Sequence, residues 1–309
     1  MSIIYNHIAA LQAALKPLRS QQRIALVPTM GNLHEGHLEL VNIAKAKADI
    51  VVVSIFVNPT QFGVGEDFDS YPRTLNEDVA KLVGVHADYV FAPSSEEMYP
   101  VLPPPTIIRA GAITEQLCGK TRPTHFDGVG IVVSKLFNIV QPDIAVFGQK
   151  DYQQLAIIKQ LVRDLSYPID IIAAPIVRAA DGLALSSRNQ YLSPDERQIA
   201  PVLQQELQRL AQQLKVSASF KQDVAALIAE TSTRITAAGF TIDYLALKTV
   251  QLGNIDGIEN DTVNNIIDST EASKGITRTQ PLPKQFVIVL AAWLGRARLL
   301  DNLLVTLDS

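Results

Sequence analysis

The sequence is short of several features that would point to particular classes of protein. Among its 309 residues it has a single cysteine, so no disulfide can form within the chain, which fits a reducing compartment. No apolar run approaches the length of about 18 residues that a transmembrane helix needs. Residues 1–16 lack the basic start and apolar core of a signal peptide. We therefore expect a cytoplasmic protein with no membrane partner.

The sequence also lacks an excess of basic charge. Its 27 Lys and Arg residues face 31 Asp and Glu residues, a net charge of −4, which gives no sign of a nucleic-acid partner. A chain of 309 residues that is 47% hydrophobic is long enough to bury a large core and predicts about two domains. The lone Cys118 is more typical of a small packed residue than of a nucleophile.

Apolar, β-branched runs alternate with helical patterns through the first part of the chain. Strands are predicted at Ile24–Val27, Ile50–Val57, Tyr89–Ala92, Ile144–Phe147 and Ile169–Ile172. Helices are predicted at Leu38–Ala48, Asn76–His86, Gly128–Val140 and Tyr152–Leu165. This alternation predicts an α/β fold with a doubly wound, Rossmann-like parallel sheet, in which ligands bind at the carboxyl ends of the strands.

After about Pro175 the pattern changes to helices followed by strands. The predicted elements are a helix from Ser193 to about Leu214, a helix from Phe220 to Ala238 ending at Gly239, and strands Ile242–Leu247 and Phe286–Ala291. Capping boxes are predicted at Thr74–Glu77 and Ser193–Glu196. We predict a first domain over residues 1–175 and a smaller α+β domain over residues 176–309, with a long surface loop at Gly253–Pro283.

The most informative motif follows the first predicted strand. His34 and His37 lie three residues apart, so a helix would place both imidazoles on one face, pointing at one ligand. Gly31 and Gly36 would allow close approach of a ligand, and the free N–H groups of a helix start suit phosphate. A surface pair is the alternative; zinc is disfavoured because Glu35, the nearby acidic residue, projects off this face.

Four further segments carry candidate chemistry, each with a plainer alternative. Asn58 and Gln61 suit a hydroxyl and a carboxylate, or form an ordinary turn. The acidic stretch Glu66–Arg73 either holds Mg²⁺ near a polyphosphate or is solvated surface. Arg122 and His125 either meet anions or organise a loop. Asp151 either accepts from a substrate hydroxyl or caps a helix.

Two further turns supply positive charge for phosphate. Lys150 follows Gly148 at a predicted strand end, where a compact ammonium can neutralise phosphate. The segment Ser186-Ser187-Arg188 combines two hydroxyls with a guanidinium, a combination that can clamp phosphate oxygens. The three-residue pattern is weak alone and gains weight from its position near the predicted domain boundary.

These motifs together resemble the pantoate–β-alanine ligase family. The segments that carry the resemblance run in order along nearly the whole chain: PTMGNLHEGH (28–37), VNPTQF (57–62), EDFDSYPRT (66–74), RPTHFDGV (122–129), FGQKDYQQL (147–155), DGLALSSRNQYL (181–192) and GRARLLDN (295–302). The family is similar to nucleotidylyl transferases and class I aminoacyl-tRNA synthetases that share a His-x-Gly-His signature. The resemblance implies ATP-dependent condensation of (R)-pantoate with β-alanine through a pantoyl adenylate, giving pantothenate, AMP and diphosphate for coenzyme A biosynthesis.

The resemblance also implies site residues, a cofactor ion and a partner. His37 matches the residue described as the proton donor, with His34, Lys150 and Arg188 also catalytic. Gln61 matches a residue shared by pantoate and β-alanine, and Gln154 a second pantoate ligand. The implied ATP-binding positions are Met30, Gly31, Asn32, Leu33, His34, Glu35, Gly36, His37, Gly148, Gln149, Lys150, Asp151, Val177, Leu185, Ser186, Ser187 and Arg188. Mg²⁺ with unassigned ligands and a homodimer are implied as well.

Two positions depart from the family pattern. Gln149 stands where the family often has Glu, which removes a charge beside Lys150, and Leu185 stands where it often has Met, which keeps the apolar contact. Two other functions compete with the ligase. A nucleotidylyltransferase would share the histidine turn but would need more basic residues for an acceptor phosphate. A non-catalytic nucleotide-binding regulator would not require the combination of His37, Lys150 and Arg188.

Overall fold

The computed structural model describes residues 2–63, 65–217, 220–255 and 283–307, except for the side chains of residues 221 and 222. The chain divides into two compact units, Met1–Val177 and Arg178–Ser309. The predicted surface loop at Gly253–Pro283 lies largely outside the described residues. None of the helices within the described ranges is both long and apolar enough to cross a membrane. The assignment of substrate binding to the first domain and of a lid to the second stays a prediction.

A parallel sheet of six strands forms the first unit. The strands are β1 (Ile3–Tyr5), β2 (Ile24–Thr29), β3 (Ile50–Ile55), β4 (Tyr89–Phe91), β5 (Ile144–Gly148) and β6 (Asp170–Ala174). The helices are α1 (Ile8–Leu15), α2 (Glu35–Lys45), α3 (Leu75–Gly84), α4 (Ser95–Met98), α5 (Cys118–Thr121), α6 (His125–Val140) and α7 (Tyr152–Asp164). The strand order is β1-β4-β3-β2-β5-β6, which confirms the predicted doubly wound sheet.

The central strands are buried on both faces, as their unbroken apolar sequences predict. Residues 24–27 of β2 and Val51–Val53 of β3 have no exposed surface. Removing each such side chain from water contributes about 1.5–3 kcal/mol before the entropy of ordering is counted. Alternate residues of β2, Ala25 and Val27, pack with Val41 of α2 on one face of the sheet. The buried sheet therefore holds the strand ends, and the loops that follow them, in fixed positions.

The order of the strands places a topological switch point between β2 and β5. The chain proceeds from β2 towards β3 on one side of the sheet, whereas β5 and then β6 lie on the other side. Ala25 pairs with Ile144 and Leu26 with Ala145 across this junction. In open parallel sheets, ligands bind at the carboxyl ends of the strands at such a point. The loops after Thr29 and Gly148 therefore flank the expected ligand crevice.

The second unit combines three helices with an antiparallel sheet. Its elements are α8 (Pro194–Ile199), α9 (Val202–Val216), α10 (Phe220–Ala237), β7 (Thr241–Thr249), β8 (Gln285–Leu294) and β9 (Ala297–Thr306). The strands pair in the order β7-β8-β9. Leu203 and Leu207 of α9 pack with Phe286 and Ile288 of β8 in a separate hydrophobic core. The observed composition confirms the predicted α+β character.

Three local predictions about helices are wrong. The helix predicted from Ser193 to Leu214 is interrupted at Ala200–Pro201 because proline cannot donate the hydrogen bond that a continuous helix needs. Thr74 does cap α3, but its hydroxyl donates to Asp78 at 3.1 Å and accepts no cap hydrogen bond, so the predicted capping box does not form there. The box at Ser193–Glu196 does form. The helix after the histidine motif starts at Glu35, not at Leu38.

Candidate functional site

The turn after β2 is shaped by a glycine in a left-handed conformation. Gly31 has φ +82°, and a Cβ atom there would lie 3.1 Å from both Asp78 Oδ2 and Ile55 Cγ2. Thr29 fixes the start of the turn, since its hydroxyl donates to the Ser54 carbonyl at 2.7 Å and accepts from the Gly31 N–H at 3.3 Å. A larger side chain at Gly31 would therefore be strained and crowded, and the turn would move.

The two histidines cap the first turn of α2 reciprocally. His34 is the N-cap residue and His37 is the third residue of the helix. The Gly36 N–H donates to His34 Nδ1 at 3.1 Å, and the His34 N–H donates to His37 Nδ1 at 3.4 Å. The ring centroids lie 4.1 Å apart. Because each Nδ1 accepts a hydrogen bond, each neutral imidazole carries its proton on Nε2.

This arrangement changes the expected source of phosphate donors. The sequence predicts that free backbone N–H groups at the helix start would meet an anion, but the N–H groups of His34 and Gly36 already donate to imidazole nitrogens. The N–H groups of Asn32 and Leu33 donate to the Asp78 carboxylate. The motif therefore offers imidazole Nε2–H groups in place of these four backbone donors.

Both imidazoles are neutral at physiological pH. Burial lowers the pKa of His34 to about 4, with the positive charge of Lys150 as the next cause. Burial also lowers the pKa of His37 to about 3, helped by His34 and Lys150, although the ring keeps some exposed surface. The shared influence of Lys150 places its ammonium group in the same electrostatic environment as both rings. Neutral donors and one cation thus gather at the switch point.

Lys150 lies in a short 3₁₀ turn, Gln149–Asp151, directly after β5. Its Nζ atom is 3.5 Å from Asp151 Oδ2, and its side chain is mostly buried. A Cβ atom on the preceding Gly148 would come no closer than 4.0 Å to a neighbouring atom, Leu40 Cδ2. Packing within the protein therefore does not require glycine at this position, and the room left for a ligand there stays a prediction.

A buried polar cluster forms behind the turn that follows β3. Asn58 Nδ2 donates to Gln61 Oε1 at 3.1 Å and to the Gly128 carbonyl at 3.0 Å. Asn58 Oδ1 accepts from the Tyr99 hydroxyl at 3.0 Å, and burial raises the pKa of Tyr99 to about 12, so this hydroxyl stays a donor. Gln61 Nε2 faces Met30 Sδ at 3.0 Å. Since its oxygen is engaged by Asn58, Gln61 presents its NH₂ group as the donor for a ligand.

Gly128 lets helix α6 approach this cluster closely. A Cβ atom at Gly128 would lie 2.2 Å from the Thr60 carbonyl oxygen, a distance that backbone atoms cannot relieve without moving. The sequence marks Asn58 and Gln61 as candidates but gives no sign of Tyr99 or of the close approach at Gly128. These contacts join residues 41 and 70 positions apart, so short-range patterns cannot reveal them.

Arg122 and His125 organise a loop. Arg122 donates to both carboxylate oxygens of Glu66, at 2.7 and 2.5 Å. Burial raises the pKa of Glu66, but the hydrogen bond from Arg122 outweighs this and leaves the pKa below its ordinary value. His125 Nδ1 donates to the Gln61 carbonyl at 2.7 Å. These contacts favour the structural role among the two that the sequence allows, and they engage the Glu66 carboxylate.

The two predicted glutamine positions on α7 have different environments. Gln153 is buried, accepts from the Cys118 N–H at 3.0 Å, and donates to the Ile113 and Gln116 carbonyls at 2.9 and 2.7 Å. It therefore ties the segment before α6 to α7. Gln154, the residue that the resemblance assigns to pantoate, is partly exposed. Its role in binding stays a prediction.

In the second unit, the predicted phosphate clamp sits on an anchored turn. Arg178 donates to both carboxylate oxygens of Asp301 at 2.7 Å and to the Gly182 carbonyl at 3.0 Å. Ser186 Oγ accepts from the Arg188 N–H at 3.2 Å and caps the 3₁₀ turn Ser187–Tyr191. The hydroxyl of Ser186 thus also has a structural role. Val177 ends the first unit, whereas Leu185–Arg188 belongs to the second.

The described residues contain no group of three or more His, Cys, Asp or Glu side chains that could hold a metal ion. Magnesium is usually held by one or two carboxylates together with substrate phosphates, so such a group is not needed for an ion that arrives with a nucleotide. Asp151 is the carboxylate beside Lys150. The arrangement suits a polyphosphate-bound ion better than a resident metal centre.

Comparison with known proteins gives a consistent result. The sequence model of a family described as pantoate-beta-alanine ligase matches residues 3–304. The pantothenate synthetase of Psychrobacter arcticus is 70% identical over 308 residues, which cover 100% of this chain and 99% of that protein. A crystal structure of pantoate-beta-alanine ligase (pantothenate synthetase) from Thermus thermophilus aligns with a TM-score of 0.81 at 39% identity, over 97% of this chain and 98% of that chain.

A second solved structure adds information about ligands. It is the pantoate-beta-alanine ligase of Francisella tularensis, described as complexed with beta-gamma ATP and beta-alanine. It aligns with a TM-score of 0.74 at 33% identity and covers 98% of both chains. The likeness therefore extends over both units of the fold.

Proposed function

The chain belongs to the pantoate-beta-alanine ligase family, whose function is the ATP-dependent synthesis of pantothenate, and we propose that it joins (R)-pantoate to β-alanine through a pantoyl adenylate. The products are pantothenate, AMP and diphosphate. The Francisella relative, complexed with an ATP species and β-alanine, supports these two substrates. The observation that carries the mechanism is the pair of neutral imidazoles beside Lys150 at the switch point.

In the first step, a carboxylate oxygen of pantoate attacks the α-phosphorus of ATP. A new P–O bond forms, the bond to the β-phosphate breaks, and diphosphate leaves with the electron pair. Negative charge grows on the α-phosphoryl oxygens, where hydrogen bonds from His34 and His37 Nε2–H would strengthen. A pKa of about 3 means that His37 acts at neutral pH as a hydrogen-bond donor, not as an ionised acid.

Lys150 would neutralise the departing diphosphate, because an ammonium is a compact charge at the end of a flexible chain. We assign Ser186, Ser187 and Arg188 to the same diphosphate and residues 176–309 to a lid domain. Mg²⁺ would arrive with ATP and neutralise part of the phosphate charge. These assignments are supported by residue chemistry and by the match to the family segments.

In the second step, the amine of β-alanine attacks the acyl carbon of pantoyl adenylate. An amide bond forms, the bond between the acyl carbon and the AMP oxygen breaks, and the amine loses a proton. Gln61 would hold pantoate through its NH₂ group, whose direction is set by Asn58. Gln154 would supply a second contact. A neutral amide suits a substrate carboxylate that must remain nucleophilic, since a full positive charge would stabilise it too strongly.

We further propose a cytoplasmic homodimer. The single cysteine fits a reducing compartment, and the family resemblance supports the dimer. Light scattering on the purified protein should give twice the chain mass of 33.7 kDa. A mass equal to one chain at micromolar concentration would contradict the dimer.

The exchange of labelled diphosphate into ATP tests the proposed function. We expect exchange that requires pantoate and does not require β-alanine, because adenylation precedes amide formation. Exchange with no added acid, or with a phosphate-bearing acceptor only, would favour a nucleotidylyltransferase. Absence of exchange with every acid, despite measurable ATP binding, would favour a nucleotide-binding regulator.

A further inference from the structure

Asp78 is a fully buried carboxylate that the proposed reaction does not use. It lies in the first turn of α3 and has no exposed surface. Its Oδ2 atom accepts from the Asn32 N–H at 2.9 Å and from the Thr74 hydroxyl at 3.1 Å. Its Oδ1 atom accepts from the Leu33 N–H at 2.7 Å. A buried acid with three donors aimed at it is held in one orientation.

The backbone that Asp78 binds has the geometry of an anion nest. Gly31 and Asn32 both have positive φ, +82° and +50°, which turns successive N–H groups towards one point. Such concave pairs of N–H groups bind anions. In this chain the nest is filled from within by the Asp78 carboxylate, so a phosphate would have to displace Asp78 to reach these two donors.

Lys81 holds the same loop from the next turn of α3. Its ammonium donates to the Leu33 carbonyl at 2.6 Å. Both polar backbone groups of Leu33 are therefore fixed by one helix, through Asp78 and Lys81. Leu33 directly precedes His34, whose own N–H starts the reciprocal histidine cap. The orientation of His34 thus depends on a helix that lies 40 or more residues further along the chain.

We propose that Asp78, assisted by Lys81, is a positioning residue that aims the Nε2–H groups of His34 and His37 by fixing the backbone of residues 31–33. Asp78 acts through the histidines and contacts no substrate. The proposal rests on the proposed role of the histidine turn in ATP activation. It predicts that loosening the loop disturbs use of ATP and leaves recognition of pantoate by Gln61 unchanged.

The substitution Asp78→Asn tests this with little change in size. An amide offers one acceptor oxygen and turns its NH₂ group towards a backbone N–H, so one of the two loop donors loses its partner. We expect kcat/KM for ATP to fall by roughly 10- to 100-fold, the usual effect of losing a group that orients a catalytic ligand. KM for pantoate should stay within about twofold of wild type.

Glu77→Gln is the matched control, because Glu77 is an exposed carboxylate one position earlier on the same helix. It removes the same charge without touching the loop and should behave as wild type. Nitrogen-15 spectra of the histidine rings give an independent readout. The wild-type protein should show His34 and His37 protonated on Nε2 with bare Nδ1, and Asp78→Asn should disturb this pattern.

Wild-type kinetics and wild-type ring spectra in Asp78→Asn would overturn the proposal. So would an equal loss in all kinetic constants with unchanged ring spectra, since this would indicate general destabilisation. If Asp78→Asn does not fold, Lys81→Met decides the question, because it removes the contact to Leu33 from the exposed side of α3; a smaller loss of the same kind is expected, and wild-type behaviour would overturn the proposal. If the wild type shows no pantoate-dependent exchange, the proposed function fails, while the ring spectra still test the positioning.

Discussion

Replacing His37 by Asn separates two jobs of one imidazole. Nδ1 accepts the His34 N–H at 3.4 Å and so helps to cap α2. Nε2–H is the donor that we assign to the α-phosphoryl oxygens. The side-chain oxygen of Asn can take the place of Nδ1, but Asn has no atom at the position of Nε2. Gln has the opposite character, with its amide near Nε2.

The two jobs differ in expected size. Loss of one donor that strengthens in the transition state typically lowers the rate by about 10²–10³, or roughly 3–4 kcal/mol. A cap hydrogen bond typically contributes about 1 kcal/mol to stability, and the long distance here places it at the lower end. His37→Asn should therefore reduce pantoate-dependent exchange by at least about 100-fold and change the free energy of unfolding by less than about 1 kcal/mol. His37→Gln should lose less activity and more stability.

Exchange at saturating ATP and pantoate, with urea unfolding of the same samples, measures both effects. His86→Asn is the control: His86 is exposed, follows α3 and has φ +58°, a conformation that Asn tolerates. It should match wild type in both assays. The reasoning fails if His37→Asn retains exchange within about threefold of wild type, well short of the loss expected for a transition-state donor.

Other predictions concern pH, pantoate and packing. The folded pKa of His37, about 3, lies below its ordinary value of 6.5, so the unfolded state binds the proton first as pH falls; stability should drop below pH 6.5 by up to about 1.4 kcal/mol per pH unit, and His37→Asn should flatten this slope in urea titrations across pH 5–7. Gln61→Ala should raise KM for pantoate while calorimetric ATP affinity stays constant, and unchanged pantoate affinity would refute its assignment. Lys150→Met should lower kcat with the unfolding curve preserved; near-normal turnover would remove Lys150 from the mechanism. Gly128→Ala should destabilise the fold by about 1–3 kcal/mol, because its Cβ would lie 2.2 Å from the Thr60 oxygen, and an unchanged melting temperature would contradict this.

The sequence predicts the central architecture because that architecture depends on local patterns. Apolar runs such as Val51–Val53 can be buried on both faces only in a covered parallel sheet, and they form β3. The carboxyl-end rule then places the loops after β2 and β5 together. Strands β1 and β9 were not predicted: β1 has three residues on a sheet edge, and the sequence of β9 places Asp301 and Asn302 between its apolar residues.

The support of the site is harder to predict because it comes from distant parts of the chain. The contacts of Asp78 with Asn32 and Leu33 join positions 46 and 45 residues apart. An aspartate in the first turn of a helix is ordinary, and nothing in its neighbours indicates complete burial. Likewise, the His-x-Gly-His spacing suggests two rings on one helix face, whereas His34 precedes the helix and pairs with His37 as a cap.

Transfer of oxygen from pantoate to AMP tests the central claim most directly. If the pantoate carboxylate attacks the α-phosphorus, one of its oxygens remains on AMP when β-alanine displaces the adenylate. Pantoate labelled with oxygen-18 in its carboxylate should therefore yield AMP with one labelled oxygen and pantothenate with the other. Label-free AMP, with the oxygen-18 in the diphosphate or in phosphate, would contradict activation at the α-phosphorus and the roles assigned to His34 and His37.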